Sequence, residues 1–222
     1  MVDHVYADFD KRTQGNVRKA LRGSVFFALP SVAAITTISV DSVGSPGTPT
    51  LNTLPVGYTD IGFLSDAGAV LAEAVTSVDV AAWGDLEPVR RDITADVTTV
   101  QLVALEVNKQ ALATYFGVNP TSLTADATTA EVSVVKPSST TSFFWRVLVL
   151  GVDQTDAGEI YIARFLPNAC VTNKGNMTFA DSGDGINFDC TLTAYKDSTL
   201  GYADKMFFGG PGWKPIKTQM GF

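Results

Sequence analysis

The chain is poor in the side chains that carry out chemistry. Among its 222 residues there is one histidine, His4, and two cysteines, Cys170 and Cys190. Serine or cysteine hydrolase chemistry needs a base, most often histidine, and His4 stands alone near the amino terminus. No Gly-x-Ser-x-Gly elbow, Walker loop, dinucleotide glycine fingerprint or His-Glu-x-x-His pair occurs. A zinc site would have to join His4 to two distant thiols. The chain is therefore not expected to be an enzyme, and no catalytic, cofactor-binding or metal-binding residue is assigned.

Positive charge is scarce as well. Sixteen Lys and Arg stand against 23 Asp and Glu, a formal charge of -7 with a pI near 4.6. Binding nucleic acid through its phosphates needs clustered cations, which this balance argues against. Long apolar runs are missing too: Val25 to Ile35 is broken by Pro30 and is too short to cross a bilayer. The basic residues before it (Lys11, Arg12, Arg18, Lys19, Arg22) imitate a secretory leader, but Asp3, Asp8 and Asp10 dilute them. No membrane anchor is expected, and no internal repeat suggests a solenoid or propeller.

What is present is β-branched sequence punctuated by glycine and proline. The composition is 45% apolar, with thirteen Phe, three Trp, nineteen Gly and ten Pro, enough to bury a substantial core within one large domain with arms. Gly57 to Gly117 organises it. The pieces GYTDIGFLSDAG, AVLAEAVTSVDVAAWGD and EPVRRDITADVTTVQL alternate apolar and polar residues between turn signals and read as short paired strands. The next piece changes period. Leu102, Leu105, Leu112, Tyr115 and Phe116 fall near one face, Gly117 sits where a helix ends, and Pro120 follows, which predicts one amphipathic helix over about residues 102–116.

Taken in order, residues 1–22 are a polar amino-terminal arm and Gly23 to Pro30 is a strand. Ser39 to Pro55, carrying Gly44, Pro46, Gly47, Pro49 and Pro55, reads as a long loop. Glu131 to Lys136 and Ser142 to Val152 read as strands. In the second, the nearly continuous apolar run Phe143 to Leu150 predicts a central strand covered on both faces. Glu159 to Pro167 and Cys170 to Tyr195 supply further strands. Beyond Thr199 the glycines and prolines argue against regular structure, yet Tyr202, Met206, Phe207, Phe208 and Trp213 are too apolar for a solvated tail, so a packing arm is expected. The fold class is mainly β, a β-sandwich or barrel over residues 23–198 with one flanking α-helix and arms at 1–22 and 199–222.

Several smaller signals have plain readings. Cys170 and Cys190 fall two strands apart, about 10 Å between Cα atoms, too far for a disulfide. Asp181-Ser182-Gly183-Asp184-Gly185 is a glycine-rich turn rather than a calcium loop. Asn176-Met177-Thr178 matches a glycosylation sequon with nothing to support a secretory route. Asp92 and Asp96, an even number apart, would share a strand face as solvated charge. Arg90-Arg91 reads as a salt-bridging or interface pair, and Trp83 as a core anchor at a strand end.

Residues 58–68 (Tyr-Thr-Asp-Ile-Gly-Phe-Leu-Ser-Asp-Ala-Gly), Ala82-Trp83-Gly84, Glu87-Pro88-Val89-Arg90-Arg91-Asp92, Ala104-Leu105-Glu106 and Tyr115-Phe116-Gly117 together resemble the major tail proteins of long-tailed bacteriophages, especially those infecting actinobacteria. The resemblance implies a β-sandwich subunit stacking as homohexameric rings around a channel for genome ejection. It also implies self-association, tape-measure and tail-end proteins as partners, DNA passing without specific binding, assembly in the host cytoplasm and residence in the virion tail. On that footing Asp79, Asp85, Glu87, Asp92 and Asp96 are candidates for the channel lining. The arms and the loop at 39–55 are candidates for subunit contacts, through Pro46, Pro49, Phe207, Phe208 and Trp213. No carboxy-terminal decoration domain is expected. The competing reading is a carbohydrate-binding or adhesin-like β-sandwich.

Overall fold

The computed structural model of the chain describes residues 5–138, 142–177, 179 and 185–222. His4, Thr178 of the sequon and Asp181 to Asp184 of the glycine-rich turn lie outside these. After one short helical turn, α1 (Tyr6–Phe9), come strands β1 (Arg22–Ala28), β2 (Ser39–Asp41), β3 (Pro49–Leu51), β4 (Thr59–Asp60), β5 (Leu64–Ala81) and β6 (Pro88–Ala104). Helix α2 (Lys109–Phe116) precedes β7 (Phe144–Thr155), β8 (Gly158–Lys174), β9 (Phe188–Ala194), β10 (Lys205–Gly209) and a last helical turn, α3 (Trp213–Ile216).

One antiparallel sheet carries most of the chain, in the order β4-β1-β7-β8-β9-β6-β5, while β2 and β3 form a separate hairpin. β8 is long enough to take two partners along one edge, β10 against Tyr161 to Phe165 and β9 against Ala169 to Lys174. Between them its pairing with β7 slips: Val147 faces Leu166 but Trp145 faces Ala169, one residue more on β8, beside Pro167. Proline has no N–H to give to a ladder, so the strand bends there.

The bend helps the sheet curl until its ends approach each other. A strap at 61–63 bridges the remaining distance: Ile61 N donates to Val25 O at 3.0 Å, Phe63 N to Glu106 Oε1 at 2.7 Å, and Leu105 N to Phe63 O at 2.9 Å. Inside the curl lies the larger core, with Val25, Phe27, Val100, Leu102, Trp145, Val147, Leu166 and Leu192. Trp145 meets Phe27 edge-on, centroids 5.9 Å apart, and α2 covers this core with Ala111 and Ala113. A second core lies on the other face, where Leu148, Leu150, Tyr161 and Phe165 pack under Ile35, Ile38 and the half-buried Phe207. β7 and β8 are thus buried on both faces, as the run Phe143 to Leu150 predicted.

Some elements differ from the sequence expectation. The helix spans 109–116, because Leu102 and Ala104 are buried in β6 opposite Cys190 and Phe188, two residues apart on one strand face. Asn108 caps it, its Oδ1 accepting from Ala111 N at 2.8 Å, and Gly117 ends it in the left-handed region at φ 69°. Glu131 to Lys136 forms no strand and is largely exposed. The two cysteines sit on neighbouring strands, not two strands apart; Cys190 faces Lys174, four residues beyond Cys170, an offset along the strands that still forbids a bridge.

The segments read as a loop and arms are partly folded onto the body. Residues 39–51 form the β2–β3 hairpin, whose turn is held by Gly47 N donating to Asp41 Oδ1 (2.7 Å) and by Lys214 Nζ donating to Gly47 O. β10 is a member of the main sheet rather than part of an irregular arm. At the amino end, Leu21 N donates to Val152 O at 2.9 Å and Arg18 pairs with Asp153 at 3.6 Å, so the segment from Arg18 already lies along β7.

Candidate assembly surface: a projecting ribbon with an open edge

β6 pairs with β9 only from Thr99 to Ala104. From the pair Glu73–Thr98 outward, among the described residues, β5 and β6 pair with nothing but each other, down to Ala81–Pro88. At about 3.3 Å per residue this two-stranded ribbon projects roughly 30 Å from the body. Among the described residues the outer edge of β5 is unpaired as well, so a row of backbone donors and acceptors faces outward.

A bulge sets the faces of the ribbon. Thr76 faces Ala95, yet its neighbour Ser77 faces Ile93, leaving Thr94 as the extra residue. One face continues the inner core surface, through Glu73 and Thr98, Val75 and Asp96, Ser77 and Ile93, then Asp79 and Arg91. The other carries Ala74 and Val97, Thr76 and Ala95, Val78 and Asp92, then Val80 and Arg90. Asp92 and Asp96 therefore point to opposite faces: even spacing places residues together only on an uninterrupted strand.

The ribbon is apolar where a monomer would be polar. Val75, Val78, Val80, Val89 and Ile93 are all exposed. At the turn Trp83 and Leu86 are each 105% exposed, so Trp83 is no core anchor; the turn carries it past the end of the sheet. Of the five acidic candidates, Asp79 and Asp96 share the inner-continuing face, Asp92 takes the outer one, and Asp85 and Glu87 flank the tip. Arg90 pairs with Asp92 at 2.7 Å and Arg91 approaches Asp79 at 3.9 Å, both exposed contacts worth under about 1 kcal/mol. At the root, Arg164 on β8 grips Glu73 at 2.7 Å and Asp204 together, and the Asp204 and Glu73 carboxylates raise its pKa further. No ion pair among the described residues involves Asp85, Glu87 or Asp96.

The other contact candidates are scattered. Pro46 is exposed at the β2–β3 turn and Pro49 is half-buried within β3. Phe207 is partly spent on its own second core. Phe208 remains 42% exposed and stacks on Trp213, ring centroids 5.0 Å apart. Tyr6, Val17 and Leu21 on the amino-terminal segment are exposed.

At the end of β5 away from the ribbon, the gap between the edges of β1 and β5 forms an open groove of about 580 Å³ lined by Leu21, Arg22, Val25, Phe63, Leu64 and Ala69, among others. Glu106 closes its floor, accepting from Phe63 N and from Asn108 Nδ2 at 3.3 Å, while Asn108 also donates to Ile61 O at 2.7 Å. Sequence reading missed this clasp; an asparagine one residue before a helix was the available signal.

Burial pushes the Cys190 thiol up to about 12, so it stays protonated and unreactive. Among the described residues no three His, Cys, Asp or Glu side chains gather to hold a metal, and no helix is long and apolar enough to cross a membrane. A family model described as phage tail tube protein matches residues 12–204. No curated protein sequence matches the chain.

Proposed function

Because this chain belongs to the phage tail tube protein family, a structural component of the virion tail, we propose that it is the repeating wall subunit of that tube. Copies close into homohexameric rings, the rings stack, and the genome passes down the channel. The observation that carries this reading is the ribbon with its free β5 edge. Such an edge, flanked by exposed valine, isoleucine and tryptophan, is a hazard in a monomer and a joint in a ring. An isolated two-stranded hairpin is also marginal in water, so neighbours complete it.

The face that continues the inner core surface is the natural channel lining, and it presents Asp79 and Asp96. Six chains of -7 carry about -42 before ions bind, which keeps phosphate from sticking to the wall. Asp92 then faces away from the channel. The amino-terminal segment and the tips at Pro46 and Phe208 supply contacts between rings, and assembly takes place in the host cytoplasm with tape-measure and tail-end proteins closing the tube. Electron microscopy of the purified protein tests the reading. Rings or tubes with an axial hole are expected, and a persistently monodisperse monomer overturns it.

A further inference from the structure

Resting on the tube reading, we propose that a pocket at the head of α2 receives the ribbon tip of a copy in the next ring, with Leu86 against its apolar wall and the Glu87 carboxylate on Lys109 and the first N–H groups of the helix. The pocket holds about 340 Å³ between β1, β4 and α2, and its walls include Phe27, Leu29, Val32 and Pro120. Among the described residues Lys109 is the one charged group in the lining; it is exposed and forms no ion pair. The nearest acids along the chain, Asp60 and Glu106, line the other groove and accept from the backbone N–H groups of Gly62 and Phe63. Further donors here lack acceptors. The N–H groups of Lys109 and Gln110 open the helix and have no carbonyl within it to meet, the Asn108 cap being taken by Ala111 N. Trp145 forms part of the wall, and its Nε1 is buried with no hydrogen-bond partner among the described residues. A buried donor left unmatched is costly, and an oxygen brought in by an occupant relieves it.

The tip supplies what the pocket lacks. Leu86 is fully exposed, and Asp85 and Glu87 on either side of it make no ion pair among the described residues. The arginines nearest in sequence, Arg90 and Arg91, are directed to Asp92 and Asp79. An isobutyl group beside a carboxylate thus meets an apolar wall beside an ammonium and free N–H groups. The two surfaces also lie at opposite ends of the molecule. The tip precedes Pro88 at one end of β6 and Lys109 follows Ala104 at the other, about 50 Å along the strand, so a chain cannot fill its own pocket. A contact between unlike ends that does not close on itself repeats along an axis, as stacking requires.

The test uses full-length protein with Thr59→Cys and Leu86→Cys combined, Thr59 being exposed on the pocket wall. Cys170 and Cys190 are both buried, so the new thiols alone react. Mild oxidation of assembled tubes is expected to give a ladder of dimers and higher multimers from the double variant and none from either single variant. Tubes that form normally yet give no ladder overturn the pocket assignment while the tube reading stands. Absence of rings and tubes in the unmodified protein overturns both. Charge exchange covers the case in which a new cysteine blocks assembly. Lys109→Glu places an acid in the first turn of α2, where the helix dipole favours it, so monomer stability in urea is expected to be kept. Lys109→Glu alone and Glu87→Lys alone are each expected to shorten tubes several-fold at low salt while rings persist, and combining them is expected to restore the length. Full-length tubes from either single variant, or no recovery in the combination, sink the proposal.

Discussion

β5 and β6 each have two halves with opposite surroundings. Over Ala69 to Leu71 and Val100 to Ala104 they are walls of a packed core, with Val100, Leu102 and Ala104 buried and a third strand alongside. Over Glu73 to Thr98 the same two strands hold each other in solvent. Hydrophobic residues resume beyond the polar boundary pair Glu73–Thr98, at Val75, Val78, Val80 and Ile93. The difference teaches where folding leaves off: the first half is buried within one molecule, and the second is left for association in the proposed ring to cover.

The comparison can be broken at the core end first. Trp145, 1% exposed between Phe27 and Phe143, is expected to cost about 3–5 kcal/mol on replacement by alanine, read as a loss of monomer stability in urea unfolding. Gly62→Ala comes next. Gly62 has φ 93° and a Cβ there would run into the Glu106 carboxylate, so a loss of about 1–3 kcal/mol is expected together with opening of the strap.

Smaller still is the effect of Asp197. Backbone N–H bonds from Leu200 and Thr199, and the charge of Arg146, hold its carboxyl below the usual 3.8. A lowered pKa stabilises the fold above the unfolded value and loses that contribution as pH falls through the folded one. Asp197→Asn is therefore expected to lower the unfolding midpoint slightly at pH 7 and to match the parent protein once the pH is well under 3.8. At the ribbon end, Val78→Thr with Val80→Thr is expected to shift monomer stability by no more than about 0.5 kcal/mol. Assembly yield by sedimentation should nonetheless fall, which sharpens the division between the two halves.

Sequence reading recovered the parts where one local rule acts alone. Gly117 as a helix stop and Phe143 to Leu150 as a doubly covered strand follow from a single period and a single turn residue. It failed where two rules fit the same residues. Leu102 and Leu105 match helical spacing, but pairing with β9 puts Leu102 in a strand and the strap at Phe63 takes the N–H of Leu105. The Asp92–Asp96 pairing failed because a bulge at Thr94 has no signature in composition. Trp83 misled for another reason: aromatic residues belong to cores on average, and this one stands fully exposed at the ribbon tip. The cysteines and the carboxy-terminal strand needed the strand order, which is set by contacts between residues far apart in the chain.

The margins of the sheet are unequal, β5 running eighteen residues on one side and β4 only two on the other. A joint between unlike margins cannot read the same from both directions. Any filament built from such joints has a head and a tail, and the two ends present different chemistry to the next arrival.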